Sequence, residues 1–448
     1  MSEKLSNRQL ILFSLPNFAL SALFFPLVVL LPNFYAKYTQ ASLVAIGSVL
    51  LFSRMFDAIS DPLIGYLSDK TKSRWGMRKP WIAAGLLILI LPAYKLFNPS
   101  ADAEASYYFL WSVFLYLGWT MIQIPYFSWS TELSRDYQQR TRISGFLALF
   151  GALGSLVFML APLALSSVFG TTEYTPELMS SVSSALIFLA AILIIIALLT
   201  SKQGTPIPSK LSSFKGTLKS IKSNKPFWMY AIAFACGGVG TGITLSVLAI
   251  YIDSYLQLAA SLPVLLGIYT LSALIGVFIV VQLIKYIDKH RCWAFCWFIS
   301  AIVPLFFLLL SPGEKAFMPL LIGFIILGIA SAGNMVLPIA LLGDVIDYDI
   351  FKTHVNRTAN YFSINSLITK GNVAVGGGLA FYLLAAFGYD VNGENNDSAI
   401  NGLLFVTLIL PSIFYTIAGA LLLYFPLTRK RHAIILKKIN KLSAQKQP

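Results

Sequence analysis

Two aspartates lie four residues apart within a long apolar stretch of the chain. Asp57 and Asp61 belong to the run SRMFDAISDPLIGYLSDK. In a helix, residues four positions apart project from one face, about 40° apart around the axis. Each charge held at membrane depth costs about 2.5–3.5 kcal/mol on insertion scales. A carboxylate pair in such a place indicates a site that binds a positive charge, and this predicts a transporter.

Two hydroxyl side chains could complete a cation site if the second and fourth apolar stretches meet. Ser60 and Thr120 could supply hydroxyl oxygens, and Pro62 carries no amide hydrogen, so it leaves the carbonyl of Ala58 without its usual helical partner. Oxygen ligands of this kind suit a hard monovalent cation or a proton. The alternative is that the acids only pair with basic side chains and lock the helices together.

A lysine in the eleventh apolar stretch is the expected counter-charge. Lys370 lies deep in the run NSLITKGNVAVGGG, and a buried ammonium group needs a carboxylate partner. With Lys370 alone, the cluster of two acids and one lysine sums to minus one. If Arg54 also points inward, the sum is zero, and the sequence leaves both possibilities open. A lysine that extends to the membrane surface is the alternative interpretation.

The composition excludes a water-soluble globular protein. Of 448 residues, 57% are hydrophobic and only 12% are charged. We count twelve apolar stretches that could cross a hydrocarbon core about 30 Å thick, and we predict an all-α polytopic membrane protein. The predicted spans are residues 9–36, 42–68, 79–98, 106–132, 141–168, 178–200, 226–256, 262–287, 292–311, 317–346, 358–388 and 399–427.

A polar, basic segment divides the chain into two halves. Weak internal similarity relates GYLSDKTKSRW in the first half to IKYIDKHRCW in the second. Two six-helix bundles of the major facilitator fold, with a solute site between them, are therefore expected. The predicted divisions are an N-terminal bundle at 1–200, a cytoplasmic linker at 201–225 with an amphipathic stretch at 211–221, a C-terminal bundle at 226–428 and a basic cytoplasmic tail at 429–448.

The distribution of charge predicts how the chain crosses the membrane. Most of the 33 basic residues fall on one side if both termini are cytoplasmic, as the positive-inside rule requires. We therefore expect a multi-pass protein of a bacterial inner membrane with its net charge of +14 spread over the inside loops. That spread argues against nucleic acid as a partner. We expect a monomer in the lipid bilayer that needs a solute and a coupling cation but no cofactor.

Charged residues also cluster on the loops predicted at the inner side. We interpret them as salt bridges between helices that close a cytoplasmic gate while the site faces outward. Ordinary solvated loop charge, worth about 0–1 kcal/mol per pair, is the alternative. The predicted gate residues are Asp69, Arg74, Arg78, Glu132, Asp136, Arg140, Asp344 and Asp347, with Lys70, Asp349 and Arg357 on the same loops.

Several of these motifs together resemble the glycoside-pentoside-hexuronide:cation symporters, a family of the major facilitator superfamily that includes melibiose permease. The similarity covers nearly the whole chain and rests on RMFDAISDPLIGYLSDKTKSRWGMRKPW at 54–81, IPYFSWSTELSRD at 124–136, GDVIDYD at 343–349 and the lysine at 370. The resemblance implies that Asp57 and Asp61 bind Na⁺, Li⁺ or H⁺. It also implies that Thr120 contributes to the cation site and that Lys370 pairs with the acids.

The charged sugar anchors of melibiose permease are missing from this chain. Gln123 stands where that permease has a fourth-helix acid, Ala148 lies near the position of its arginine and Ser21 near that of its first-helix acid. Buried charged groups bind sugar hydroxyls strongly, so the solute stays open between a sugar or glycoside and an amphiphile. The candidate solute contacts are Gln123, Trp119, Tyr116, Tyr126, Asn17 and Asn365.

The predicted function is cation-coupled symport of a small organic solute, a sugar or glycoside first, by alternating access, with Na⁺ or H⁺ as coupling ion. A transporter of a lysophospholipid or other amphiphile is the alternative. A membrane enzyme or sensor is a weaker one. The three histidines, His290, His354 and His432, fall outside the spans, so no catalytic set of side chains can be assembled within the membrane.

Overall fold

The computed structural model describes residues 5–134, 137–203, 224–353 and 357–444, and these ranges are helical without any strand. We number the long helices in chain order. They are α1 (Asn7–Tyr38), α2 (Leu43–Lys70), α3 (Lys79–Phe97), α4 (Ala105–Glu132), α5 (Tyr137–Ala164), α6 (Pro176–Thr200), α7 (Lys225–Tyr255), α8 (Ala259–Leu283), α9 (Lys289–Leu309), α10 (Glu314–Thr353), α11 (Thr358–Ala386), α12 (Asp397–Leu423) and α13 (Arg429–Ala444).

Eleven helices in the described ranges are long and apolar enough to cross a membrane. The remaining predicted span, residues 106–132, corresponds to α4, which has 28 residues but is rich in tyrosine and tryptophan, so its hydropathy is lower. The prediction of an all-α polytopic fold is confirmed. Several predicted ends are wrong: α10 continues to Thr353, past the predicted end at residue 346. Polar residues at the end of a helix hide such an extension from a hydropathy count.

Local sequence signals fix where several helices begin. The side chain of Ser42 accepts a hydrogen bond from the amide of Ala45 at the start of α2. Asn224 does the same for the amide of Phe227 at the start of α7, 3.1 Å away. These caps satisfy amides that have no partner within the helix. Each helix therefore starts at a defined residue beside an apolar run.

Two helices flank the predicted linker, and the division of the chain into domains stays a prediction. α6 ends at Thr200 and α7 begins at Lys225. Residues 204–223, and with them the predicted amphipathic stretch at 211–221, lie outside the described residues. The tail, predicted only as basic, contains the helix α13, which packs against α10.

The ends of the twelve spans form two faces of the molecule. We call the face with the start of α1, the end of α2 and the tail helix the terminal face, and the opposite one the distal face. Between the halves, α1 packs against α7, α2 against α11 and α5 against α8. Antiparallel pairing of α2 with α11 brings the two predicted charge-bearing spans side by side.

Small residues allow helices to approach closely within each half. A Cβ atom on Gly154 of α5 would lie 1.9 Å from the carbonyl oxygen of Phe18 on α1. In the second half, a Cβ on Gly376 of α11 would lie 2.5 Å from the carbonyl oxygen of Val239 on α7. Either contact requires glycine, as close helix packing in membranes usually does. The contact at Gly376 holds α11, and with it Lys370, against α7.

Candidate cation and solute site

The two aspartates of α2 face the interior of the protein. Asp57 is only 3% exposed, whereas the side chain of Asp61 is 16% exposed. Ile59, on the opposite side of the helix, is 71% exposed and marks the lipid-facing surface. The helix therefore directs both carboxylates inward, as their spacing predicts. Both residues lie far from the ends of α2, so their carboxylates are not near the hydrated loops.

Three helices meet at the carboxylate of Asp61. The hydroxyl of Thr120 on α4 donates to its Oδ1 at 3.0 Å. The ammonium of Lys370 on α11 forms an ion pair with its Oδ2. One carboxylate is thus shared between a neutral oxygen donor and a cationic group, each from a separate helix. If another cation replaced the ammonium of Lys370, the carboxylate of Asp61 and the hydroxyl of Thr120 could both remain as oxygen ligands.

The register of α2 against α11 shows how Lys370 reaches Asp61. Leu50 contacts Gly377, and moving seven residues along each antiparallel helix places Asp57 opposite Lys370. The lysine side chain must then extend about one helical turn, roughly 5 Å, toward the terminal face to meet Asp61. The charge of Lys370 therefore lies within reach of both acids.

For the other two residues predicted at the cation site, Ser60 and Arg54, the described structure gives no contact with a carboxylate of the pair. Ser60 is buried on α2, and its hydroxyl donates to the backbone carbonyl of Asp57 at 3.4 Å. Its oxygen keeps lone pairs that could still serve a cation. Arg54 is part of α2, but its side chain lies outside the described residues. The described charges at the site are therefore two carboxylates and one ammonium, which sum to minus one.

The predicted solute residues separate into two groups. Tyr126 is buried, stacks on Phe13 at 5.0 Å between ring centroids, and donates to the Phe13 carbonyl at 2.5 Å. Trp119 is also buried and packs against Phe24. These two aromatic side chains pack α4 against α1. Tyr116 is buried on the same helix and has an interaction partner of its own.

Partly exposed amide side chains form the second group. The amide of Asn17 on α1 donates to the carbonyl of Leu147 on α5 at 2.7 Å. Asn365 on α11 accepts a hydrogen bond from Tyr230 on α7 at 2.6 Å. Gln123 is half-buried on α4, and the hydrogen bonds found among the described residues leave its side chain available. Sequence reasoning missed Tyr230, because a tyrosine in an apolar span carries no distinguishing signal.

In the N-terminal half, the predicted gate residues gather around Arg78. Its guanidinium binds Glu132 at 2.6 Å, Asp69 at 2.5 Å and the hydroxyl of Ser68 at 2.8 Å. Burial by itself lowers the pKa of Arg78, but the hydrogen bonds to Glu132 and Asp69 more than offset it, so its pKa is raised and it stays charged. Arg74 is exposed on the same loop.

In the C-terminal half, the predicted gate residues contact the tail helix. Lys289 of α9 binds Asp344 at 2.6 Å, and His432 of α13 lies 2.8 Å from Asp347. His290, predicted in a loop, instead occupies the first turn of α9 and is buried. The described ion pairs on this face all join helices of the same half. Asp136 and the side chain of Arg140, as well as His354, lie outside the described residues.

Comparison with known proteins identifies the family. The model of the MFS/sugar transport protein family matches residues 12–429 of this chain. The chain belongs to that family. It is 24% identical over 462 residues to a glucuronide carrier protein homolog of Escherichia coli (strain K12), with 100% of this chain and 98% of the relative covered. It is also 24% identical over 425 residues to the isoprimeverose transporter of Lactiplantibacillus pentosus, covering 92% and 87%.

Solved structures show the same fold. The nucleoside transporter NupG matches with a TM-score of 0.66 at 15% identity, over 94% of this chain and 100% of that one. Membership of the MFS/sugar transport family confirms the resemblance to glycoside-pentoside-hexuronide:cation symporters and the major facilitator fold. It also confirms that the chain is a multi-pass membrane transporter rather than an enzyme.

Proposed function

We propose that this protein couples the movement of a monovalent cation, Na⁺ or H⁺, to the uptake of a glycoside. The observation that carries the proposal is the carboxylate of Asp61, held at once by the Thr120 hydroxyl and the Lys370 ammonium. A cation bound by Asp57 and Asp61 would release Lys370 from its ion pair. Binding at this site is thereby linked to contacts between α2 and α11, which belong to different halves.

Such a link is what coupled transport requires. An ion can shift a conformational equilibrium only if it binds the two conformations with different affinity. The ion pair between Asp61 and Lys370 joins the halves. We therefore expect it to form in some arrangements of the bundles and to break in others. Cation binding and rocking of the bundles would then be coupled through the same side chains.

Relatives with sugar-related names favour a glycoside over an amphiphile as the solute. The glucuronide carrier homolog and the isoprimeverose transporter both align over most of the chain. Half-buried Gln123, Asn17 and Asn365 offer neutral hydrogen-bonding groups to hydroxyls in place of the missing charged anchors. We propose that these three side chains face the solute and that Trp119 shapes the wall beside them.

The arrangement in the membrane is part of the same proposal. By the positive-inside rule, the basic loops support a terminal face in the cytoplasm, and we propose that the surrounding bilayer is the inner membrane of a bacterial cell. Because the residues proposed to bind the cation come from helices of one chain, we propose that the protein functions as a monomer and needs the coupling ion but no cofactor. Protease access to tags on either terminus in right-side-out vesicles tests the orientation.

Uptake into proteoliposomes tests the coupling. A labelled hexuronide and a labelled pentose glycoside should accumulate when an inward Na⁺ or H⁺ gradient is imposed, and Asp57→Asn should abolish accumulation while leaving downhill exchange. Asp102→Asn, which changes an exposed acid in the loop between α3 and α4, is the matched control and should behave as wild type. If Asp57→Asn leaves uptake as steep in Na⁺ or pH as before, the coupling assignment is wrong.

The same vesicles distinguish the solute classes. A labelled lysophospholipid added in place of the glycoside should not accumulate and should not compete with glycoside uptake. Gradient-driven lysolipid uptake without any glycoside uptake would replace the sugar proposal by the amphiphile one, while the cation assignment would stand.

A further inference from the structure

The hydroxyl of Ser53 on α2 behaves differently from most hydroxyls in these helices. Ser48, Thr71 and Ser246 each donate to the carbonyl one turn earlier in the helix, at 2.8 Å, 2.9 Å and 2.8 Å. This back-bonding is the usual way to satisfy a hydroxyl within a helix. Ser53 is only 1% exposed, yet its Oγ has no hydrogen-bond partner in the described structure.

Ser53 lies one helical turn from Asp57 on the same face of α2. Ser53, Asp57 and Asp61 follow one another at intervals of four residues, so they form a stripe on one face of α2. Both Ser53 and Asp57 are buried, whereas Phe52 and Met55 are exposed on the side facing lipid. The Ser53 oxygen therefore lies one turn from Asp57 toward the distal face, within the same interior stripe.

Three other buried hydroxyl oxygens lack a partner in the described structure, those of Ser14, Thr407 and Ser201, and they have different surroundings. Ser201 follows the last residue of α6 and is only half-buried as a residue. Ser14 of α1 and Thr407 of α12 are each 1% exposed. Neither has an acidic residue within two turns on its own helix. Ser53 is distinguished by the acid that lies next to it on the helix face. Ser14 and Thr407 therefore serve as controls for the loss of a buried, unpaired hydroxyl away from the acids.

We propose that the Ser53 hydroxyl is a ligand of the cation that binds at Asp57, and that it adapts the site to a metal ion. Na⁺ and Li⁺ need several oxygen ligands, and neutral hydroxyls complement carboxylates in that role. A proton needs only the carboxylate it joins. Ser53 therefore sets the preference between a metal ion and a proton. This inference rests on the proposed cation site and extends it by one turn of α2.

The test compares Ser53→Ala with wild type in thermal unfolding and in uptake. Purified full-length protein is titrated with NaCl or LiCl against choline chloride at constant ionic strength. In choline, Ser53→Ala should unfold at the same or a higher temperature than wild type, because an unsatisfied buried hydroxyl has been removed. Its half-saturating Na⁺ or Li⁺ concentration should rise about tenfold. A merely structural role would lower stability in both salts alike.

Matched variants sharpen the result. Ser53→Thr keeps the hydroxyl and should retain most of the metal response, whereas Ser14→Ala removes an equally buried hydroxyl elsewhere and should leave the response as in wild type. The ratio of Na⁺- or Li⁺-driven uptake to proton-driven uptake should fall about tenfold in Ser53→Ala and stay as in wild type in Ser14→Ala. This separates metal binding from damage to the transport cycle.

The outcomes distinguish this inference from the proposed function. If wild type responds to Na⁺ or Li⁺ and Ser53→Ala responds equally, the assignment of Ser53 is wrong and the coupling site stands. A wild type that responds only to pH also overturns the role of Ser53 and leaves proton coupling in place. A metal response that persists in Asp57→Asn instead overturns the cation site itself.

Discussion

The two faces of this transporter use their ion pairs differently. At the distal face, Lys37 of α1 binds Asp253 of α7 at 2.5 Å, so this pair joins the two halves. At the terminal face, the described ion pairs of Arg78 and of Lys289 join helices of one half. Pairs across the halves must break when the bundles rock, whereas pairs within a half can persist through the cycle.

The pair of Arg78 and Glu132, which stays within the N-terminal half, is more buried than the pair of Lys37 and Asp253, which joins the two halves. The side chains of Arg78 and Glu132 are 9% and 7% exposed, whereas those of Lys37 and Asp253 are 30% and 26% exposed. Partly hydrated pairs have small net energies, and buried pairs are costly to break. The contrast indicates that the buried pair of Arg78 and Glu132 stabilises the N-terminal half, while the pair of Lys37 and Asp253, which must open, contributes little net energy.

Removing Arg78 should have the largest effect on stability. Loss of one partner of a buried ion pair costs about 3–5 kcal/mol. Because Glu132 has a further interaction, we expect Arg78→Ala to lower the free energy of unfolding by about 3 kcal/mol. Thermal unfolding in detergent measures this loss. Arg74→Ala, on the exposed part of the same loop, is the control and should change stability by less than about 0.5 kcal/mol.

Two observations would contradict this prediction. A loss below about 1 kcal/mol for Arg78→Ala would show that the buried pair contributes no more than a surface pair. Equal losses for the Arg78 and Arg74 variants would show that loop charge in general, rather than this contact, stabilises the terminal face.

Breaking the pair across the distal face should change conformation more than stability. Lys37→Met removes a contact worth about 1 kcal/mol, which corresponds to roughly a fivefold change in the population of states with an open distal face. Distances between spin labels at Asp102 and Glu394, in a variant without native cysteines, would lengthen in the new population. Both labelled positions are exposed on distal loops of different halves.

Charge exchange provides the control for the distal pair. Lys37→Asp combined with Asp253→Lys should restore the wild-type distance distribution, and Lys315→Met, which removes an exposed lysine of α10, should leave it unchanged. A distribution that does not respond to Lys37→Met would mean that the apolar contacts between α1 and α7 hold this face by themselves.

The features that could be predicted from the sequence are those with a large energetic cost. Asp57, Asp61 and Lys370 are conspicuous because charge in an apolar stretch is expensive, and Asp61 and Lys370 do meet in the structure. The contact with Thr120 required only that α2 and α4 be neighbours. These expectations required only that α2 lie beside α4 and α11, and no detail of side-chain packing.

Other features depend on tertiary contacts that the sequence does not encode locally. Loop charges predict that ion pairs form at the terminal face, but not that the described ones stay within one half. The hydrogen bond from Tyr230 to Asn365 and the contact of His432 with Asp347 follow from which helices meet. A tyrosine in an apolar run, or a histidine in a basic tail, is compatible with many neighbours.

The smallest expected effect concerns the exposed partner of Arg78. Asp69 binds the same guanidinium as Glu132 but is 59% exposed, so water competes for its charge. Asp69→Asn should lower the free energy of unfolding by no more than about 0.5 kcal/mol, and added salt should reduce even that difference. Thermal unfolding at low and high salt measures it. A loss approaching that of Arg78→Ala would mean that position on the terminal face, and not burial, sets the energy of these pairs.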